Sequence, residues 1–343
     1  MCVIKVALYE PTYTDEIIFN EDAQFNRDNC FAHFVLLKKK LEEKNMECHT
    51  AQYYQEKSIC PDVVIYIDTL DLDPRLDKKN NYLLLCESVV IKPKLWNLKA
   101  HQAFKHIFTW HDPFVNDDRY IWSYHFSGLA NSLIWSDQKN KKLCTLINAN
   151  KFSNHPLELY TARKNIIEWF EKNHPNDFDL YGFGWDKRRF SRWPWRILNR
   201  TPYLNYRLAK HYRCYRGTIE SKYMTLNQYR FCICFENAKE IEGYITEKIL
   251  DAFMAGCVPV YWGAPNIRDY IPEHCFIDYT KFKDNAAMYD FLKNMPDELY
   301  QKYLDAIKKF ILSDAAEKFK PEYFAKTIVK TITQDMESFV KMN

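Results

Sequence analysis

Apolar residues recur along this chain in two rhythms that alternate. Val3–Tyr9 (VIKVALY), Asp62–Asp68 (DVVIYID), Tyr82–Cys86 (YLLLC) and His106–Trp110 (HIFTW) are short runs, apolar at successive positions and punctuated by charge. That is the pattern of strands buried on both faces, as in a parallel sheet. Between the first two, Phe31–Asn45 spaces Phe34, Leu37 and Leu41 three or four residues apart, along one helix face. The second half repeats the alternation. Lys141–Asn148, Phe178–Phe183, Tyr229–Phe235 and Val258–Trp262 read as strands; Glu158–Asn173 and Thr246–Ala255 read as helices, the latter stopped by Gly256. Pro259 cannot donate to a ladder, so it belongs near the start or edge of its strand.

Strands alternating with helices imply α/β domains with mostly parallel sheets. At roughly 100–200 residues per domain, 343 residues make two. The expected division is an N-terminal α/β domain over 1–140, a C-terminal α/β domain over 141–310, and a helical segment over 311–343 that packs back on the first. The two domains are expected to meet at a cleft.

Composition changes this picture little. The balance of 47% hydrophobic and 27% charged residues is that of a globular protein. The 11 Cys show no regular spacing, and Cys86, Cys144, Cys232, Cys234 and Cys257 stand in apolar surroundings; reduced, buried thiols are expected. The first residues read as a strand rather than a secretory signal. No run reaches the roughly 18 apolar residues of a membrane span. A cytoplasmic protein, peripheral to the membrane at most, is the expectation.

Charge is distributed unevenly. Trp185–Arg216 holds ten Lys/Arg and one acid, a local +9 in a chain of net +3, interleaved with Trp and Phe. Such a segment suits an anionic membrane surface. A loop over a ligand cleft, its arginines drawn to phosphates, is an equal alternative. Single-stranded nucleic acid would also fit, but no nucleic acid partner is expected.

The segment Tyr229–Pro265 carries the chemistry. A buried strand ends at Phe235 with Glu236 and Asn237 at its carboxyl end, where open α/β sheets bind ligands. A loop through Gly243 and Tyr244 leads to a helix with Thr246 as candidate N-cap. Its N-terminus suits a diphosphate. Lys248 in the first turn opposes the helix dipole and makes sense beside an anion. Glu247 suits ribose hydroxyls, and Tyr244 a phosphate oxygen. An ordinary strand–loop–helix with solvated charges remains an equal reading. The common nucleotide motifs, GxxxxGK[ST] and GxGxxG, are absent.

The run FENAKEIEGYITEKILDAFMAGCVPVYWGAPN resembles the signature of the α-1,3/α-1,4-fucosyltransferases, the family 10 glycosyltransferases of two-domain GT-B fold. Weaker likeness extends over Leu85–Ser88, Asn116–Tyr120, Arg163 with Ile166 and Ile167, Asp179–Gly182 and Tyr215–Tyr229. The resemblance implies transfer of L-fucose from GDP-fucose, with inversion, to a hydroxyl of an N-acetylglucosamine-type glycan in α-1,3 or α-1,4 linkage. It implies that Asn237, Tyr244, Glu247, Lys248 and Arg163 bind the donor. It implies no required cofactor or metal, a divalent ion serving only to stimulate. The 237–244 loop is about one residue longer than in some bacterial members.

Inverting transfer needs a carboxylate to take the acceptor's proton. Glu87 follows a buried strand and matches the family's Glu-Ser pair, where the glutamate is the proposed base; Val89 stands where most members have Pro. Asp112 is the alternative base. His111 and His125 read as polar cleft or surface residues rather than metal ligands, and Asp71-Leu-Asp73 as a solvated turn. Two other readings stay open: a GT-B enzyme using another nucleotide sugar, and a non-catalytic nucleotide- or nucleic-acid-binding protein. The expected setting is protein glycosylation or surface-polysaccharide synthesis.

Overall fold

The computed structural model describes residues 3–12, 15–21, 26–76, 80–115, 117–126, 129, 135, 140–187 and 195–342. It divides into two compact units. One comprises Met1–Ala130, Glu242–Glu247 and Ser313–Asn343; the other comprises Asn131–Ile241 and Lys248–Leu312.

The first unit runs β1 (Ile4–Tyr9), α1 (Ala32–Glu42), β2 (Met46–Thr50), α2 (Ala51–Glu56), β3 (Val63–Ile67), β4 (Asn81–Leu85), α3 (Leu98–His101), β5 (His106–Thr109) and β6 (Tyr120–Trp122). The strands form one parallel sheet in the order β2-β1-β3-β4-β5-β6. Alternation of side chains explains why β3 is apolar throughout. Val63 and Ile65 face one core, with Phe34, Leu37 and Leu41 of α1. Val64 and Tyr66 face another, with Tyr54, Leu95 and Phe104. The first core is completed by Phe324, Ala325, Ile328 and Ile332 of the last helix.

The second unit runs β7 (Lys142–Ile147), α4 (Tyr160–Asn173), β8 (Phe178–Tyr181), α5 (Pro202–Arg207), α6 (Lys222–Leu226), β9 (Tyr229–Phe235), α7 (Glu247–Met254), β10 (Val258–Trp262), β11 (Ile277–Asp278), α8 (Asn285–Lys293) and α9 (Asp297–Ile311), with Glu247 itself counted in the first unit. Its sheet is also parallel, in the order β11-β10-β9-β7-β8. Pro259 is the second residue of β10; it lies opposite Cys232 of β9, while β11 pairs only from Val260 onward, so the proline sits near the strand's start. Gly256, at φ +62°, follows α7, and the Cys257 N–H reaches back to the Ala252 carbonyl, the left-handed turn that ends helices. The last helix, α10 (Pro321–Met342), belongs to the first unit.

The contact division differs in detail from the boundaries read along the sequence. Trp135 goes with the second unit because its indole N–H donates to the Phe253 carbonyl at 3.2 Å. The loop 242–247 goes with the first unit. Both preferences are tertiary and leave no mark in periodicity.

Candidate active site

In the second unit, β9 buries every residue from Phe231 to Phe235, and the chain turns polar at Glu236 and Asn237. The Phe235 carbonyl accepts from Nε and Nη2 of Arg163, at 3.1 and 2.5 Å. The same guanidinium donates to Oδ1 of Asn148, just past β7, at 3.2 Å and to Oδ1 of Asn237 at 3.1 Å. Arg163 is only 2% exposed and lies over the Tyr160 ring. Its fixed fork therefore joins α4 to the ends of β7 and β9. It also sets Asn237, whose Nδ2 donors must point away from the guanidinium. Arg163 and Asn237 are thus brought together.

Lys248 meets its anion within the protein: its ammonium is 3.2 Å from Oε2 of Glu236, a side chain with no exposure. The Cys234 thiol donates to the Lys248 carbonyl, seating α7 against β9.

In the first unit, the segment Glu242–Glu247 rests on the end of β5. Gly243 has φ +76°, and a Cβ placed there would lie 2.2 Å from the Trp110 carbonyl oxygen. Only glycine meets both conditions. The Glu242 carbonyl is 3.2 Å from Nδ1 of His111. Tyr244 is buried, its ring centroid 4.8 Å from that of Trp110. Glu247, half-buried, opens α7, where an acid suits the dipole.

Trp110 also links this loop to Glu87. Its indole N–H donates to the Cys86 carbonyl at 2.7 Å, and the Trp96 indole donates to the Glu87 carbonyl at 3.2 Å. Glu87 is half-buried, two residues past β4. Asp112, past β5, has a carboxylate oxygen 3.3 Å from the Cβ position of Gly243. Burial holds the His111 pKa below its usual value, countered in part by the Glu242 carbonyl and Asp112.

Two sequence expectations change. His125 is no surface residue: it is 5% exposed, burial pushes its pKa down to about 3, and neither ring nitrogen finds a partner among the described residues. Asp73 is buried and holds Arg75 and Gln55 rather than facing solvent in a turn. Of the basic segment, residues 188–194, with Arg188, Arg189 and Arg192, lie outside the described residues. Trp185 is core, 4% exposed, and donates to the Asn148 carbonyl. Lys210, Arg213 and Arg216 pair with Glu168, Glu171 and Asp179.

Asn148 in the second unit, and Trp96 and Trp110 in the first, gain their roles only in the structure. Glu236 was visible as the first polar residue after an apolar strand. The other three carry no local signal, because their partners are remote in sequence.

Residues 206–337 match the model for the "Glycosyltransferase family 10 (fucosyltransferase) C-term" domain. That range contains Asn237, Tyr244, Glu247 and Lys248, but neither Arg163 nor Glu87. A Helicobacter pylori alpha-(1,3)-fucosyltransferase, FucT, is 33% identical over 125 residues, which are 34% of this chain and 26% of that protein. The Xenopus laevis GDP-fucose protein O-fucosyltransferase 3 is 37% identical over 83 residues, 23% of this chain and 18% of that one. The matches thus span only 26% and 18% of these relatives' own length. In fold, the chain is similar to a crystal structure of an alpha1,3-fucosyltransferase with GDP-fucose. The TM-score is 0.55 at 16% identity, over 96% of this chain and 90% of the other. Two parallel-sheet α/β domains of GT-B type are the shared architecture.

Proposed function

We propose that this chain, whose residues 206–337 are a family 10 glycosyltransferase domain, is an inverting fucosyltransferase that moves L-fucose from GDP-fucose to a glycan hydroxyl. The observation that carries this is the Phe235–Lys248 segment inside that domain. There a buried arginine sets Asn237, and a lysine and a glutamate open the helix that follows.

Glu87 acts as the base. Its carboxylate takes the proton of the acceptor hydroxyl as that oxygen bonds to C1 of fucose. The C1–O bond to the diphosphate breaks, and GDP leaves with the electron pair. Lys248 and Tyr244 hold the diphosphate, and Glu247 the ribose. Arg163 adds a fixed positive charge while orienting Asn237. The acceptor is an N-acetylglucosamine-type glycan, in α-1,3 or α-1,4 linkage, and no metal is required, a divalent ion serving only to stimulate.

Labelled GDP-fucose offered on a glycan array tests the activity. Glu87→Gln tests the base. Transfer abolished with GDP binding retained is the expected result. Preference for GDP-mannose over GDP-fucose would instead select another donor sugar.

Peripheral contact with an anionic membrane is the finer part of this reading. Within 195–216, Ile197, Tyr203 and Leu208 are exposed at 54%, 73% and 42%, beside exposed Arg200 and Arg207. Apolar groups among cations fit a headgroup layer. Flotation with phosphatidylserine vesicles should be lost in Arg200→Glu/Arg207→Glu; unchanged flotation removes the membrane role. A cytoplasmic protein that is peripheral to the membrane follows from the same reading.

A further inference from the structure

We propose that Asp68, Trp96 and Trp110 are positioning residues that fix the backbone of Glu87, an inference that rests on Glu87 being the base. All four main-chain polar groups of the Cys86–Glu87 dipeptide are held by side chains. Oδ1 of Asp68 accepts the N–H of Cys86 at 2.7 Å and that of Glu87 at 3.1 Å. The Trp110 indole donates to the Cys86 carbonyl at 2.7 Å, and the Trp96 indole to the Glu87 carbonyl at 3.2 Å. These three side chains come from the end of β3, the turn Pro93–Trp96 and the end of β5.

A loop residue past a strand ordinarily gives its backbone groups to water. Ending β4 would require no such enclosure. Holding a carboxylate to within a fraction of an ångström does, because catalytic geometry is set by the backbone and rotamer that carry the group.

Asp68 itself is held at a cost. It adopts φ +50°, a left-handed conformation that Asp tolerates better than most residues. Its carboxylate is almost buried. Lys92 faces it, with its ammonium 3.5 Å from Oδ2 and 3.2 Å from the Asp68 carbonyl. Trp110 is fully buried and lies against Tyr244. One indole thus supports both the Glu87 strand end and the 242–247 loop.

The test uses three variants whose effects on strain differ. Asp68→Asn keeps an acceptor oxygen for both N–H groups and tolerates the left-handed φ. Asp68→Gly removes the acceptor but relieves the backbone, so a loss there is not strain. Trp96→Phe keeps the ring and removes the N–H. Each is compared with wild type and Glu87→Gln for GDP-fucose turnover with N-acetyllactosamine, for GDP affinity by calorimetry, and for thermal unfolding. Asp68→Gly and Trp96→Phe should lower kcat about tenfold or more, with GDP affinity within about twofold, while Asp68→Asn stays within about threefold of wild type. Wild-type kcat in both, beside an inactive Glu87→Gln, overturns the positioning role and leaves the base intact. An active Glu87→Gln overturns the base, and the positioning role with it. Equal loss of kcat and GDP affinity also overturns it, as general loosening.

Discussion

The ammonium of Lys248 lies 3.2 Å from the carboxylate of Glu236, which has no solvent exposure. Removing the cation takes the ion-pair partner from a buried carboxylate, a loss of about 3 kcal/mol for a pair of this kind. Lys248→Met should therefore destabilise the protein by about that amount and weaken GDP binding as well. Adding Glu236→Gln should restore most of the stability but not the GDP affinity. Urea unfolding and calorimetry of the single and double variants separate the two roles. GDP affinity that returns in the double variant would reduce Lys248 to a structural ion pair.

Gly243 is the next place to intervene. Alanine there must move the loop, because its Cβ cannot share space with the Trp110 carbonyl. The cost to stability should be about 1–3 kcal/mol, from the left-handed φ and the clash together. Donor affinity should fall by about tenfold or more, since Tyr244 moves with the loop. GDP titration checks this. Wild-type affinity in Gly243→Ala would take the 242–247 loop out of the donor site.

The same particulars show what the sequence could tell. Strand β3 was legible because both of its faces are buried, so its apolar run is unbroken. Strands β2 and β6 were not read, and they are the two edges of their sheet. Residues of β2 alternate between buried and half-buried, with Glu47 and His49 outward, and β6 is half-buried throughout. An edge strand covered on few sides has no continuous apolar run to show. The segment Tyr229–Pro265 stood out by its resemblance, yet what sets Asn237 is an arginine 74 residues away. The charge of the basic segment shows the same limit. Its excess charge is partly answered by Glu168, Glu171 and Asp179, none of which lies within it.

The C-terminal helix is needed by the first unit. Phe324, Ala325, Ile328 and Ile332 of α10 are fully buried against α1 and the sheet. Asp335 of α10 also accepts from the Tyr82 hydroxyl at 2.5 Å and pairs with Lys105 at 2.9 Å. Burial pushes the Asp335 pKa up, but Tyr82, Lys105 and His106 together hold it below the usual carboxylate range. Phe324→Ala should cost about 3–5 kcal/mol in urea unfolding. A chain ending at Leu312 should lose the cooperative transition of the first unit in calorimetry. Cooperative unfolding retained without α10 would show that the sheet closes its core by other means.

Two buried histidines make stability fall on mild acidification. Burial drives the pKa of His33 and of His125 down to about 3; His33 further lowers that of His125, and Glu247 partly offsets this. Unfolding restores the ordinary value near 6.5, so the unfolded chain takes up protons that the folded chain refuses. The stabilisation is complete above about pH 6.5 and declines as pH falls toward 3, by about 1.4 kcal/mol per pH unit for each histidine. Carboxylates with depressed pKa, such as Asp179 and Asp335, act lower, below their unfolded values near 4. The interval from pH 6.5 to 5 therefore belongs to the histidines. His33 packs its ring against Phe34 and Phe324, so leucine can take its place in an apolar site. Urea unfolding of wild type and His33→Leu at pH 7.5, 6.5 and 5.5 should show a shallower pH slope in the variant, the remainder coming from His125, His101 and His111. An unchanged slope would mean that His33 is protonated in the folded protein.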